Sequence, residues 1–337
     1  MRYSAPMSLA EIPSRLDSAL RSADRGVIVL AVDGLSSDVA KQSWLSASLS
    51  TLSSTVPSTS ATALLTALTG VPADVHRVPG TVYRNGSGLV HAINGTPPIP
   101  DLPTVLERHG ATVLARELDL LEGTWAQALL RGCDRVPAPA KHKLTAQAED
   151  PPLLVANVVA DLDKTADKTA PDARFLWTYV NIDDHVHRHG YDESVHEAMI
   201  RLDAHASRWA AQGWTVVAHS DHGQVPVDPD PDLVDAWDAI VREECVIPSG
   251  GAGRMRWLYP KADRLEAVFD RVATTLGSTA TVHHAADLGL PQPEAGPVVA
   301  VAASPRFPIP DPSAKFEHGG LSRDEIDVPC AVWQTVQ

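Results

Sequence analysis

The sequence is short of positive charge. Lys and Arg total 28 against 42 Asp and Glu, so the 337 residues carry a formal charge of -14. A protein that wraps long DNA or RNA needs a basic face, so neither is an expected partner. Cysteine is scarce too. Cys133, Cys245 and Cys330 are scattered, odd in number and lack metal-ligand spacing, which excludes a disulfide framework and fits inert thiols in a reducing compartment. No apolar run approaches the roughly 20 residues of a membrane span. Residues 1–26 carry charges throughout and lack the apolar stretch of a secretory signal. The expectation is a soluble, cytoplasmic chain with no membrane partner. Neither GxxxxGK[ST] nor GxGxxG after a strand occurs, so the common nucleotide-binding loops are absent.

What is present is apolar material and histidine. Apolar residues make up 44% of the chain, enough for a sizeable core. Seven of the 14 histidines fall between His185 and His222. Histidine is the commonest metal ligand and acid–base residue, so the clustering points to chemistry.

Short β-branched runs at 27–32, 111–114, 175–180, 214–218, 298–302 and 330–336 predict buried strands. Val195, Met199, Leu202, Ala206 and Trp209 follow helical spacing, as do Leu265, Val268, Phe269, Val272 and Leu276, with Gly277 as a cap. Strands alternating with helices predict an α/β fold, a mostly parallel central sheet with helices on both faces. The polar, proline-bearing stretch 133–152 reads as a surface excursion. Residues 225–253, rich in Pro, Asp and Gly, read as a linker into a small α+β insertion, with a return to the main sheet near Val298. The expected division is a catalytic core of 1–224 and 294–337, with 225–293 as linker and cap. Arg254 and Arg256, at the start of the insertion, read as a solvated edge, with contact to an anionic substrate as the alternative.

Five segments place polar ligands beyond a strand or at a loop, where open α/β sheets form their sites. Asp33 ends VIVLAVDG. Ser60 opens the helix of TVPSTSATALLTALTG; a helix start is an ordinary place for a capping serine, and also a site that suits phosphate. Asp183 and His187 lie four apart after FLWTYVN, a spacing that can grip one divalent ion, with Asp184, His185 and His189 as competitors. Asp221 and His222 end WTVVAHSDHG, where His219 reads as structural. His318 precedes two glycines that permit close backbone approach. Together they supply enough ligands for a two-metal site, a device for in-line phosphoryl transfer.

In these segments and their order the chain resembles the alkaline phosphatase superfamily, in its type I phosphodiesterase/nucleotide pyrophosphatase branch. The resemblance implies two divalent ions of the Zn²⁺ type, with Mn²⁺ as the other option. Asp183, His187 and His318 match the ligands of one; Asp33, Asp221 and His222 match those of the other, which the nucleophile also touches. Ser60 falls on the nucleophile position, with Thr59 as runner-up. Many relatives carry Thr there, in a PSxT-like motif, whereas this chain has PSTS. Ala63 stands where eukaryotic-type nucleotide pyrophosphatases carry an Asn that helps hold the phosphoryl group. No phosphate-holding arginine is set by motif; Arg77, Arg84 and Arg188 are the candidates. The implied activity is a phosphoric ester hydrolase acting on a small phosphate ester or nucleotide through a phosphoseryl intermediate. A phosphomonoesterase, a phosphomutase and a non-catalytic, metal-stabilised binding protein are the alternatives.

Overall fold

The computed structural model describes residues 7–168 and 174–335. Its main sheet has seven strands, in the order Ser48–Ser53, Asp327–Trp333, Trp214–Ser220, Gly26–Asp33, Phe175–Asn181, Thr112–Leu114, Asp134–Arg135. The Gly26–Asp33 strand is central and pairs in parallel with both neighbours. All eight of its residues are buried. Val27, Val29 and Ala31 face one core, and Ile28, Leu30 and Val32 face the other. That is why the sequence shows an unbroken apolar run there and no alternation. Each of these larger side chains removed from water contributes roughly 2 kcal/mol, which fixes both the strand's depth and its register.

Helices Ile12–Ser22 and Ser60–Thr69 cover one face. Ser37–Ser43, Pro151–Lys168 and Glu193–Ala211 cover the other. The fold is thus the expected α/β class. The helix expected from the spacing of Val195 to Trp209 runs Glu193–Ala211, with the Asp192 carboxylate accepting from the Ser194 and Val195 N–H groups at its start. Asp327–Trp333 runs antiparallel, so the chain that precedes it arrives at the same sheet edge where the parallel strands end. Residue 336 of the strand expected at 330–336 lies outside the described residues.

A second, six-stranded sheet has the order Ala280–His284, Val298–Ala302, Met255–Leu258, Gly250–Ala252, Val82–Asn85, Gly88–His91. Here the expectations need correcting. Val298–Ala302 does not return to the main sheet; it pairs antiparallel with Met255–Leu258 and Ala280–His284. A short β-branched run looks the same in either sheet, and only the pairing tells them apart. The stretch read as a linker contains the 14-residue helix Pro231–Glu244. Its proline and aspartate are start signals: Asp230 caps the first turn and Pro231 sits at the position that lacks an N–H partner anyway. In the same way Pro151 and Pro152 open the Pro151–Lys168 helix, within what looked like a surface excursion. Trp237, Ile240, Val268, Val272 and Leu276 seal the helices onto this second sheet as a third core.

Burial pushes all three cysteine thiols up, Cys133 to about 11, and none is in a disulfide. No described helix is long and apolar enough to cross a membrane.

Candidate metal centre

Parallel pairing brings three chain ends to one edge. Asp33 sits opposite Asn181, two residues before Asp183, and Val32 sits opposite Ser220, one residue before Asp221. His318 comes from the segment that leads into the antiparallel strand. The result is one cluster. Asp33, Asp221 and His222 offer ligand atoms within 4.8 Å of one another, all buried. Asp183, His222 and His318 form a second such group, and His187, Glu317 and His318 a third. Asp183 Oδ2 lies 3.2 Å from His187 Nε2, and Asp183 Oδ1 lies 4.0 Å from His318 Nε2. All seven residues singled out in the sequence therefore lie together, Ser60 included. Glu317 joins them unforeseen: a single glutamate before His-Gly-Gly carries no spacing signal.

The histidines are aimed by backbone. Nδ1 of His187 is 2.9 Å from the Phe316 carbonyl, Nδ1 of His318 is 2.9 Å from the Ser58 carbonyl, and Nδ1 of His222 is 3.3 Å from the Gly223 carbonyl. A carbonyl only accepts, so each Nδ1 carries a proton and each Nε2 is the atom turned to the cluster. Carboxylates are held likewise. Tyr179 donates to Asp33 Oδ2, Gln224 Nε2 donates to Asp183 Oδ1 at 2.6 Å, and the Gly34 N–H donates to Asp221 Oδ1 at 3.1 Å. Support of this kind orients metal ligands and tunes their basicity.

Charge makes the case for cations. Burial, then the neighbouring Asp221 and Asp183, push the Asp33 carboxyl well above its usual range. Burial and Asp183 raise Asp221 as well. Burial works against Asp183 too, yet His187 beside it holds that carboxyl far below the usual range, and His187 rises to about 10. Burial lowers His222 to about 4 and also lowers His318. Asp221 Oδ2 is buried with no hydrogen-bond partner. Two buried carboxylates and a third that is partly exposed, converging imidazole nitrogens and an orphaned oxygen suit divalent cations in the borderline class that accepts both N and O ligands.

Ser60 is the first residue of the Ser60–Thr69 helix, which ends at Gly70 in the left-handed region (φ 78°). Its hydroxyl lies 3.2 Å from Asp33 Oδ1 and 3.0 Å from His222 Nε2. Thr59 instead occupies the position before the helix without a side-chain capping bond, and its hydroxyl is 3.3 Å from that of Thr81. Ala63 is buried in the core. The competitors point elsewhere: Asp184 bonds Asn181, and His185 bonds Asp192 and packs against His189. His219 is buried within its strand. The candidate phosphate-holding arginines are engaged with other partners: Arg77 with Glu294, Arg84 with the Gly86 carbonyl and Arg188 with Glu149.

Neither Arg254 nor Arg256 forms a solvated edge. Arg254 is buried and donates to Glu325 at 3.1 Å. Fully buried Glu325 also accepts from the Gly320 N–H at 2.8 Å and the Ser322 hydroxyl at 2.6 Å, so it ties down the loop that carries His318. Glu325→Ala is expected to destabilise the protein by about 3 kcal/mol, because it strands a buried guanidinium. Chemical denaturation checks this; an unchanged midpoint would show the pair to be dispensable.

A cavity of about 340 Å³ opens beside the cluster, lined by Thr81, Val82, His187, Gly250, Arg256 and His318 among others. A larger one of about 540 Å³ lies near Lys41, His196 and Arg323, and no member of the cluster lines it. The smaller is the one next to the chemistry.

A parallel α/β sheet with its polar cluster at the strand ends is the architecture of the alkaline phosphatase-like fold, and solved structures make the likeness specific. Phosphonoacetate hydrolase from Sinorhizobium meliloti 1021, solved with phosphonoformate, superposes with a TM-score of 0.64 at 16% identity, over 93% of this chain and 91% of that one. Murine ectonucleotide pyrophosphatase/phosphodiesterase 5, as an inactive threonine-to-alanine variant with AMP, gives 0.65 at 14% identity, over 92% and 88%. The human form gives 0.63 at 12% identity, over 92% and 88%. Both kinds of neighbour are members of the alkaline phosphatase superfamily. No family model matches the sequence, and no curated protein matches it. At these identities the likeness is one of fold.

Proposed function

We propose that the protein is a metal-dependent phosphoric ester hydrolase of the phosphodiesterase/nucleotide pyrophosphatase kind, with Ser60 as nucleophile. The observation that carries this reading is the place of the Ser60 hydroxyl: at a helix N-terminus, against Asp33 and His222, beside a cluster whose charges call for cations. Asp33, Asp221 and His222 would hold one ion with Ser60 touching it, and Asp183, His187 and His318 the other. Zn²⁺ is the first choice, Mn²⁺ the second. When bound, the ions supply Lewis acidity, which acidifies a hydroxyl or water and offsets charge on a leaving oxygen.

The chain's own residues do the rest. Ser60 Oγ gives its proton to solvent and bonds to phosphorus as the bond to the leaving oxygen breaks; that oxygen departs with the bonding pair, and the phosphoryl group is carried on serine. The unpaired N–H groups at the start of the Ser60–Thr69 helix face the developing negative charge on the phosphoryl oxygens. Water then cleaves the P–Oγ bond and Ser60 regains its proton. Tyr179, Gln224 and the carbonyls behind the histidines keep the ligand atoms oriented throughout. The neighbours support the substrate class, since the bound molecules in their structures are a phosphonate and a nucleotide. The cavity walled by Val82, Gly250, Gly251 and Pro310 leaves room for a second esterified group. As a division of labour, the main-sheet layer supplies the chemistry and the segment 225–293 shapes access to it.

The test is release of 4-nitrophenolate by zinc- or manganese-supplemented protein. Bis(4-nitrophenyl) phosphate is expected to turn over faster than 4-nitrophenyl phosphate. The reverse order would make the protein a phosphomonoesterase, and inertness toward both, with metal bound, would remove the hydrolase reading.

A further inference from the structure

The cavity beside the cluster has a basic far wall that the proposed reaction does not use. Arg256 lies on the Met255–Leu258 strand and lines the cavity. Its guanidinium donates to the Pro308 carbonyl at 2.8 Å and to the Ser249 hydroxyl at 2.9 Å, and its Cζ sits 4.9 Å from the centroid of the Trp237 ring. Those contacts use two of five N–H donors and fix the group's plane. Among the described residues it forms no ion pair. Burial lowers its pKa to about 10, which leaves it charged at neutral pH. Arg256 is half-buried and oriented, with Asp238 near enough to favour its charge. The one carboxylate lining the cavity, Glu317, groups with His187 and His318 at the cluster end, so the three remaining N–H donors are placed to receive an anion. Three arginines near the second sheet differ: Arg254 has Glu325, and Arg264 and Arg271 have Glu244.

Position says which anion this is. The segment Gly250–Gly253 forms one side of the cavity and joins its two ends. At Gly253 a Cβ would come within 2.1 Å of the His318 carbonyl oxygen, so that end abuts the cluster. At the other end Ser249 holds the Arg256 guanidinium. Extended chain rises about 3.3 Å per residue, so the two ends are on the order of 10 Å apart. That is too far for one group to touch both a phosphorus at Ser60 and Arg256. Between them the wall is bare backbone with Val82 and Pro310, suited to a flat or apolar spacer.

We infer that Arg256 is the anion-binding end of an elongated substrate site: the preferred phosphate ester carries a second anionic group, a carboxylate or a phosphate, on the far side of an apolar spacer. This rests on the hydrolase reading for which end of the substrate reacts. The chemistry at Arg256 is recognition only, with two charge-assisted hydrogen bonds to one planar oxyanion.

Binding can be read without turnover. Calorimetry on the zinc-loaded Ser60→Ala protein would compare three probes: methyl 4-(2-carboxyethyl)phenyl phosphate, its neutral primary amide, and the analogue ending in phosphate. The carboxylate or the phosphate should bind at least roughly tenfold tighter than the amide, as a charge-assisted pair requires. Adding Arg256→Gln should bring that ratio close to one, and Arg256→Lys should leave it in between. Equal binding of all three probes by the Ser60→Ala protein overturns the inference whether or not the Arg256 variants fold. So does a ratio that survives Arg256→Gln in a folded protein. Should wild-type protein hydrolyse none of the probes while the Arg256-dependent preference stands, the hydrolase reading fails and the anion subsite remains.

Discussion

Ser60→Ala should lower turnover of a phosphate ester by at least roughly 10³-fold, since removing a nucleophile from a working constellation leaves only binding and electrostatic assistance. The substitution removes one oxygen, the one 3.2 Å from Asp33 and 3.0 Å from His222. It leaves the helix start intact, because the first turn is closed by the Thr59 carbonyl, which accepts from the Thr62 and Ala63 N–H groups, and not by the Ser60 hydroxyl. Six cluster residues keep their ligand atoms, so the variant should still take up two equivalents of metal by elemental analysis. That pairing makes the result informative: activity lost with metal retained marks Ser60 as nucleophile. Activity lost together with metal would mean that Ser60 matters mainly as a ligand. Full activity in Ser60→Ala would move the nucleophile elsewhere, and Thr59, one residue away with its hydroxyl near Thr81, would be tested next.

Much of this cluster was legible because its residues sit where strands stop. An apolar run that ends in Asp33, or in Asp221-His222, announces both the strand and the edge at which its polar tail emerges. Parallel pairing then needs only matched strand lengths to bring those tails together. Glu317 left no such trace, and Arg256 showed only as a basic residue at the start of the insertion. Each belongs to a short segment whose neighbours in space are distant in sequence, so its role depends on pairing between strands. The same limit hid the sheet to which Val298–Ala302 belongs. The Pro231–Glu244 helix hides differently: a Pro/Asp-rich stretch has the composition of a linker, yet Asp230 and Pro231 occupy the two positions at a helix start that favour those residues.

Asp221→Asn should change stability in opposite directions with and without metal. In the metal-free protein Asp221 is a buried carboxylate close to Asp33 and Asp183, and that proximity raises the pKa of Asp33 and of Asp221 itself. Its Oδ1 already accepts from the N–H groups of Gly34 and His222, at 3.1 and 3.0 Å, and an asparagine oxygen would preserve both bonds. Its Oδ2 has no hydrogen-bond partner. An amide nitrogen there removes the charge and can donate toward a neighbouring carboxylate, which relieves the repulsion. The chelated variant should therefore melt a few degrees above chelated wild type, a gain of about 1–2 kcal/mol. With zinc the order reverses. A ligand held at roughly 100 to 1,000 times its dissociation constant adds about 3–4 kcal/mol to the folded state, and wild type should gain that. The variant has lost an anionic ligand from the Asp33, Asp221, His222 group and should gain less than half as much. Four melting curves, two proteins with chelator or zinc, contain the whole test. A variant that melts below wild type in chelator would show that Asp221 is already neutral or otherwise satisfied in the metal-free fold. Equal zinc-induced shifts in the two proteins would take Asp221 out of the metal site.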